Sequence, residues 1–188
     1  MFRLALDDMS ELRLLEPHHA QELFAAVDAN REALRQWLPW VDASKTVADT
    51  REFIEDSLRK LTNQQAVTAG VWSEGCCAGV LGASLSELAP NAEIGYWLTA
   101  EFQGRGLMTR AVSALLTYLF EERCLHRVEI QCATENARSC AIPERLGFKL
   151  EGVRREAERL GDRYLDLNHY ALLRAEWQAR SPIRAAQL

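Results

Sequence analysis

The chain has 188 residues, of which 48% are hydrophobic and 26% are charged, a composition typical of globular proteins and unlike that of disordered or fibrous chains. Its 22 basic and 27 acidic residues give a formal net charge of −5, which disfavours a nucleic-acid partner because proteins that bind duplexes usually carry a basic surplus. With about 150 residues per domain as the norm, we expect one domain over residues 1–188, with its core at about 10–177 and a polar C-terminal tail.

Charged side chains interrupt residues 1–16, so this segment lacks the apolar core of a signal peptide. No stretch of the chain approaches the ~20 apolar residues that a membrane-spanning helix needs. The five cysteines form no C-x-x-C pair and have no histidine at metal-ligand spacing. We therefore expect a cytoplasmic protein with reduced thiols, no metal and no membrane partner.

The first third of the chain predicts a short strand followed by helices. Residues 12–16 form the strand, which Pro17 ends, and apolar residues then recur at helical spacing over 23–27 and 34–38. Thr46 and Asp49 have the spacing of a capping box, which predicts that a helix begins there. Its predicted apolar stripe consists of Phe53, Ile54, Leu58 and Leu61.

The middle of the chain predicts an antiparallel meander. Strand-like segments span residues 66–72, 77–85 and 92–98. The tripeptide Ser73-Glu74-Gly75 between the first two is a hairpin signal.

A βαβ unit and two further elements follow. Gly104 and Gly106 precede a helix, and residues 127–132 alternate as a half-buried strand, so strand, glycine turn, helix and strand follow one another. The predicted helical stripe is Met108, Ala111, Val112, Leu115, Leu116 and Leu119. A short helix over 139–146 ends at Gly147, and a strand over 165–173 precedes the tail with Pro182. This order predicts an α+β fold with a mixed sheet.

The glycine turn at Gly104 and Gly106 is a candidate phosphate site. The first turn of a helix presents unpaired backbone N–H groups and the positive end of the helix dipole. Glycines just before it let the backbone approach an anion closely, and Arg105 and Arg110 add local positive charge. A plain surface turn with a glycine cap is the alternative, and for a bare G-x-G it stays open.

Two other phosphate motifs fit less well. The P-loop pattern is absent from the chain. The dinucleotide fingerprint wants a third glycine where Thr109 stands, although Glu129 lies about 20 residues on, where a ribose-binding acid belongs. An antiparallel meander followed by a single βαβ unit also disfavours that fold.

The segment Gln103-x-x-Gly106-x-Met108 resembles the Gln/Arg-x-x-Gly-x-Gly/Ala acyl-CoA signature of the GNAT N-acetyltransferases, with Met108 at the last position. Segments 30–40, 92–98, 141–148 and 150–152 are similar in order and spacing to the RimJ/RimL branch of that superfamily. The resemblance covers about residues 10–177. It implies a GNAT fold, a mixed sheet with a V-shaped splay between two parallel strands, and acetyl-CoA as cosubstrate.

The resemblance also implies which residues hold the cofactor. Backbone groups near Trp97 and Leu98 would pair with the pantetheine amides, and Asn136 matches the asparagine that binds the pantetheine arm. The diphosphate would lie over a turn whose binding residues are Gln103, Gly104, Arg105, Gly106, Leu107, Met108 and Thr109.

For catalysis, the resemblance implies Glu158 as general base and Ser139 as the acid that protonates the departing thiolate. Alternatively, Glu158 is an exposed charge among Arg155, Glu156 and Arg159, and Ser139 is the N-cap of the helix over 139–146.

The function expected from these residues is acetyl transfer to a protein N-terminal α-amine, as in the ribosomal-protein alanine and serine acetyltransferases. Acetylation of a small amine or antibiotic is the alternative within the enzymes. A non-catalytic acyl-CoA-binding module is the alternative of another class. Relatives suggest a homodimer.

Overall fold

The computed structural model describes residues 3–180, in which eight strands form one mixed sheet in the order β1-β2-β3-β4-β5-β6-β8-β7. The strands are β1 Arg3–Asp7, β2 Ser10–Leu14, β3 Ala66–Ser73, β4 Cys76–Leu85, β5 Asn91–Leu98, β6 Arg127–Ala133, β7 Lys149–Leu160 and β8 Arg163–Leu173. The α-helices of this part of the chain are α1 Ala20–Ala29, α2 Arg31–Leu34, α3 Val47–Thr62, α4 Leu107–Thr117, α5 Ala137–Arg145 and α6 Arg174–Ala179.

The predicted meander is confirmed as β3, β4 and β5, which pair antiparallel in chain order. The turn between β3 and β4 places Glu74 at φ 54° and Gly75 at φ 82°. Two successive left-handed residues match the right-handed twist of the flanking strands, so this turn makes a tight hairpin.

The parallel pair β5 and β6 opens partway along its length. The two strands pair from Asn91 opposite Arg127 to Ile94 opposite Ile130. Beyond this point β5 continues beside β4 to Leu98, and β6 continues beside β8 to Ala133. The strands therefore diverge after Ile94, which confirms the V-shaped splay. We call this opening the fork.

The main core lies between α4 and one face of the sheet. The predicted stripe is confirmed, since its members in α4 and Leu119 just beyond this helix are all buried. It packs against alternate residues of the parallel pair: Ala92, Ile94, Val128, Ile130 and Cys132. Because strand side chains alternate between faces, Glu93, Trp97, Glu129 and Gln131 lie on the opposite face, where α1 and α3 pack.

The N-terminus of α3 confirms the predicted capping box. The Thr46 hydroxyl accepts from the Asp49 amide at 3.2 Å, and the Asp49 carboxylate accepts from the Thr46 amide at 2.8 Å. The predicted buried face of this helix is partly wrong. Phe53 is 45% exposed, whereas Thr50, Ile54 and Ser57 are buried. Small polar residues at helical spacing thus face the sheet where an apolar side chain was expected.

Three more parts of the sequence interpretation need correction. Strands β1 and β7 were not predicted, and both lie at an edge of the sheet, where side chains stay exposed and carry little alternation. The polar tail begins with helix α6, whose Trp177 stacks on Phe120 with ring centroids 6.0 Å apart. The rest of the predicted tail, with Pro182, lies outside the described residues.

Candidate active site at the fork

The glycine turn leaves backbone donors free at the start of α4. Gly104 and Gly106 adopt φ of 76° and 70°, and Gly106 is the N-cap residue without a side-chain cap. The Arg110 amide donates to the Gly106 carbonyl at 3.1 Å, so the three preceding amides, those of Leu107, Met108 and Thr109, have no partner within the helix. Such a set of N–H groups at the positive end of a helix suits a diphosphate.

In this turn two side chains pack into the core, whereas the backbone amides of the same residues stay at the open surface. The side chains of Leu107 and Met108 are buried in the core, which holds their backbone amides in place. Met108, at the position where the signature has a small residue, therefore contributes its amide while its side chain packs inward. Thr109 is half-buried.

The two arginines of the turn are paired with carboxylates of neighbouring turns. Arg105 lies 2.9 Å from Glu74, and Arg110 lies 2.8 Å from Asp7. The same residues line a cavity of about 340 Å³. Either arginine must exchange its carboxylate for a phosphate oxygen if it is to contact the cofactor.

Replacing Glu74 by glutamine is therefore expected to tighten acetyl-CoA binding, because Arg105 loses a competing partner. An exposed ion pair is worth about 0.2–1 kcal/mol, so we expect the Kd to fall by up to about fivefold in calorimetry. Asp56→Asn is the control, since it removes an equal charge and an ion pair with Lys60 on α3. An unchanged or weaker affinity of Glu74→Gln would show that Arg105 does not contact the cofactor.

Gln103 ties the turn to the end of β5. Its side-chain amide donates to the Leu98 carbonyl at 3.1 Å and accepts from Arg138 at 2.8 Å. Both ends of its side chain are occupied, so its place in the site is to hold the turn, β5 and α5 together.

Backbone groups of β5 face the fork at alternate positions. The Thr99 amide donates to the Ala78 carbonyl of β4 at 2.9 Å. Because neighbouring residues of a strand point their polar backbone groups to opposite sides, Trp97 also faces β4, while Tyr96 and Leu98 face the fork. The groups open to a pantetheine arm are thus those of Tyr96 and the amide of Leu98.

On the other side of the fork, α5 begins with a side-chain cap. The Asn136 carbonyl oxygen accepts from the Ser139 amide at 3.2 Å, so Asn136 is the N-cap and the helix is Ala137–Arg145. The interpretation of Ser139 as N-cap of a helix over 139–146 is wrong, because Asn136 lies three residues earlier and takes this role.

The Ser139 hydroxyl points into a small polar cluster at the fork. It lies 3.2 Å from the Cys132 sulfur and 3.4 Å from the Tyr96 hydroxyl. Burial raises the pKa of the Cys132 thiol to about 11, so this sulfur is neutral at pH 7. Sequence reasoning missed Tyr96 and Cys132, although both lie in strands that it predicted.

Glu158 reaches its place through an irregularity in β7. The pairing with β8 shifts between Arg154 and Glu158, Glu156 adopts φ 49°, and the Glu156 amide donates to Asp166 at 2.7 Å. Glu158 is half-buried, whereas Arg155, Glu156 and Arg159 are exposed. It is therefore not one of a set of exposed charges.

The surroundings of Glu158 favour its neutral form more than water does. Burial raises the pKa of this carboxyl above its usual value, and the negative charge of Glu93 raises it further. Glu93 accepts from the Gln131 side chain at 2.8 Å, and Gln131 in turn accepts from Arg154 at 2.7 Å. Sequence reasoning missed Glu93, whose signal was its polar position on an otherwise apolar strand.

Replacing Glu93 by glutamine is expected to lower the pKa of Glu158 toward the ordinary glutamate value, because a like charge is removed. The measurement is an NMR titration of the Glu158 carboxyl carbon in the wild type and the variant. Glu151→Gln is the control, since Glu151 pairs with Arg127 and does not contribute to the pKa shift of Glu158. An unchanged Glu158 titration in Glu93→Gln would contradict the electrostatic coupling.

Aromatic side chains border the same face. Trp40 and Trp97 have ring centroids 6.1 Å apart. Trp37 and Ala157, the neighbour of Glu158 in the chain, pack against the same buried cluster, which contains Leu165 and Leu167. The Gln36 carbonyl accepts from Arg163 at 2.7 Å, which links this segment to the start of β8. Residues 36–40 thus lie on the same side of the sheet as Glu158.

Within residues 3–180, none of the helices has the length and apolar character to cross a bilayer. The same residues contain no group of three or more His, Cys, Asp or Glu side chains arranged to hold a metal ion.

Comparison with known families identifies the fold and the chemistry together. The model of the acetyltransferase (GNAT) domain matches residues 11–149, which include the glycine turn, both strands of the fork and α5. The chain belongs to the GNAT acetyltransferase family. The predicted family, fold and enzyme class are confirmed, and the dinucleotide-binding interpretation is wrong.

Curated relatives extend the match over nearly the whole chain. A putative ribosomal N-acetyltransferase of Bacillus subtilis, YdaF, is 36% identical over 180 residues, which are 95% of this chain and 98% of the relative. The ribosomal-protein-serine acetyltransferase of Escherichia coli is 31% identical over 169 residues, with 89% and 94% covered.

Solved structures of the family carry the cofactor. RimL, a ribosomal L7/L12 α-N-protein acetyltransferase in complex with coenzyme A, superposes with a TM-score of 0.88 at 29% identity, over 92% of this chain and 98% of that one. The microcin C7 self-immunity acetyltransferase MccE, in complex with acetyl-CoA and AMP, gives 0.86 at 30% identity, over 89% and 94%. This GNAT protein is an acetyl-CoA-dependent N-acetyltransferase.

Proposed function

We propose that this GNAT enzyme acetylates the α-amino group of a protein N-terminus. The observation that carries the proposal is the half-buried Glu158, whose pKa burial and Glu93 raise, on the face that Trp37 and Trp97 border. A carboxylate with a raised pKa is a better proton acceptor for an amine than an ordinary surface glutamate. The relatives named as ribosomal-protein acetyltransferases support this acceptor class.

The donor would lie through the fork with its diphosphate over the glycine turn. The amides of Leu107, Met108 and Thr109 would hold the diphosphate, with the Thr109 hydroxyl beside them. The Leu98 amide and the Asn136 side chain would hold the pantetheine arm from opposite sides. The Asn136 oxygen already accepts from Ser139, so the nitrogen of its side-chain amide would be the donor.

In the reaction the neutral amine attacks the thioester carbonyl, a C–N bond forms and the C–S bond breaks. Glu158 accepts the proton that the amine loses, directly or through one water. The Ser139 hydroxyl donates a proton to the departing CoA thiolate, and that proton is regained from solvent. Each group thus makes one proton transfer, and the acetylated amine and free CoA leave.

The acidity of the acceptor decides between two kinds of protein amine. An α-amino group has a pKa near ~7.8 and a lysine near ~10.4. At pH 7 roughly a tenth of the α-amine is free base, against fewer than ~1 in 1,000 for lysine. One carboxylate such as Glu158 therefore suffices for an α-amine, whereas a lysine would require more help.

The test is a mass-spectrometric assay with acetyl-CoA and three kinds of acceptor. Peptides beginning with serine or alanine carry a free α-amine, N-terminally blocked copies with an internal lysine do not, and spermidine represents small amines. We expect acetylation of the free N-termini alone. Acetylation of the blocked peptides or of spermidine at a higher kcat/KM would overturn the proposed acceptor.

A small-amine acceptor is the second candidate. It is favoured by the likeness to MccE, a microcin self-immunity enzyme whose structure holds acetyl-CoA and AMP. A spermidine N(1)-acetyltransferase of Vibrio cholerae is a more partial relative, 29% identical over 48% of this chain. The spermidine arm of the assay tests this candidate.

The compartment and the assembly complete the proposal. All five cysteines are free, which is typical of a reducing compartment and supports the cytoplasm. A homodimer stays a prediction, and edge strand β7, with Leu150 and Val153 half exposed, is where a second copy could pair. Light scattering during size-exclusion chromatography would test it.

A further inference from the structure

Helix α5 contains a proline, Pro143, four residues after Ser139. In an α-helix the amide of residue i+4 donates to the carbonyl of residue i. For Ser139 that residue is Pro143, which lies inside α5 and has no N–H group. The Ser139 carbonyl therefore lacks its regular helical partner, and Pro143 is itself buried.

A side chain from the sheet replaces the missing donor. The Tyr96 hydroxyl donates to the Ser139 carbonyl oxygen at 3.0 Å. Tyr96 lies on β5, two residues beyond Ile94, the last residue of β5 that pairs with β6. Burial raises the pKa of the Tyr96 phenol well above its usual value, so this hydroxyl keeps its proton at physiological pH.

Ser139 is consequently held at three points. Its amide donates to Asn136 and its carbonyl accepts from Tyr96, while its hydroxyl lies within reach of Cys132 and of Tyr96. The bond from the Tyr96 hydroxyl to the Ser139 carbonyl, at 3.0 Å, is the shorter of the two contacts that join Ser139 to Tyr96 across the fork.

We propose that Tyr96 is a positioning residue for Ser139, acting through the carbonyl that Pro143 leaves without a helical donor. The inference rests on the proposed function, in which the Ser139 hydroxyl protonates the CoA thiolate. Tyr96 sets where the first turn of α5 lies relative to β5, and thereby sets the place of this hydroxyl. No proton passes from Tyr96 to the substrate in this scheme.

Removal of the phenol oxygen leaves the Ser139 carbonyl unsatisfied and lets the first turn of α5 shift. Displacements near 1 Å can lower rates by about a hundredfold. For Tyr96→Phe we therefore expect kcat to fall roughly ten- to hundredfold. The Kd for acetyl-CoA should rise much less than kcat falls, because the amides at the start of α4 are untouched and only the contact from Asn136 moves with α5.

The decisive experiment combines Tyr96→Phe with Pro143→Ala. Alanine restores an N–H group four residues after Ser139, so the helix itself can satisfy the carbonyl. We expect Pro143→Ala alone to keep kcat near the wild-type value and the double variant to regain most of the kcat lost in Tyr96→Phe. Tyr170→Phe is the matched control, because that hydroxyl bonds Glu144 at the other end of α5 at 2.9 Å.

The outcomes separate the inference from the function on which it rests. If the wild type acetylates no amine, the proposed function fails. If the wild type is active and Tyr96→Phe matches it, or loses activity that Pro143→Ala does not restore, the positioning role is overturned.

A second pair of variants tests the same role if Tyr96→Phe combined with Pro143→Ala fails to fold. Tyr96→Phe added to Ser139→Ala should lower kcat no further than Ser139→Ala alone, because the hydroxyl being positioned is already gone. A further fall in kcat, with the thermal unfolding transition intact, would overturn the role of Tyr96 in placing Ser139.

Discussion

Glu158→Gln is expected to lower kcat by about 10²–10⁴-fold, the range that a positioned general base usually contributes. Glutamine keeps the shape of the side chain but cannot accept the proton of the attacking amine. The Kd for acetyl-CoA, measured by calorimetry, should stay near the wild-type value because Glu158 lies on β7, outside the turn and fork residues that would hold the cofactor.

The control for this loss is Glu156→Gln, which removes the same charge from an exposed neighbour in the same bulge. Its kcat should be unchanged. Raising the pH should partly restore the rate of Glu158→Gln, since more of the α-amine is then neutral without help. If Glu158→Gln kept the wild-type kcat at every pH, the amine would lose its proton to water or to another group and not to Glu158.

Gly106→Val is expected to raise the Kd for acetyl-CoA at least about tenfold. Gly106 adopts φ 70°, a conformation that a β-branched residue adopts only with strain. To relieve it, the first turn of α4 must rearrange, and the amides of Leu107, Met108 and Thr109 then no longer converge. Loss of one hydrogen bond to a charged group costs about 1.5–3 kcal/mol, which corresponds to about a tenfold change or more in affinity. Calorimetric titration of the variant with acetyl-CoA measures it.

Gly161→Val isolates the binding effect from the strain. Gly161 adopts φ 61° in the turn between β7 and β8, and a Cβ there would meet no other atom within 4 Å. Both variants should lose about 1–2 kcal/mol of stability from the left-handed conformation, visible in thermal unfolding. Only Gly106→Val should lose affinity. Equal affinities in the two variants would remove the glycine turn from the cofactor site.

Local patterns predicted the elements that build the cofactor side. The capping box at Thr46 and the hairpin turn at Glu74 and Gly75 depend on residues next to each other in the chain, so their residue types suffice. The stripe of α4 repeats at helical spacing against a single core, which makes it equally readable. Phe53 shows the limit of such patterns, because a helix has two candidate faces and only the tertiary fold chooses between them.

Strand β7 was beyond sequence reasoning for a physical reason. It is an edge strand, exposed along most of its length, and a shift in pairing interrupts it before Glu158. Neither an apolar face nor a regular alternation remains to be recognised. The resemblance to the RimJ/RimL branch pointed to Glu158, but nothing in the sequence placed it in a strand.

By itself, the sequence determined the family through its resemblance to known members. It also determined the order of most elements and the glycine turn before α4, because these depend on short-range geometry that residue types impose. Only the tertiary structure decided which side chains act on Glu158 and Ser139 at and beside the fork. Glu93 raises the pKa of Glu158 from another strand, and Tyr96 supplies the donor that Pro143 denies to Ser139. These are contacts between residues far apart in the chain, and their effects depend on distance and burial, which no local pattern encodes.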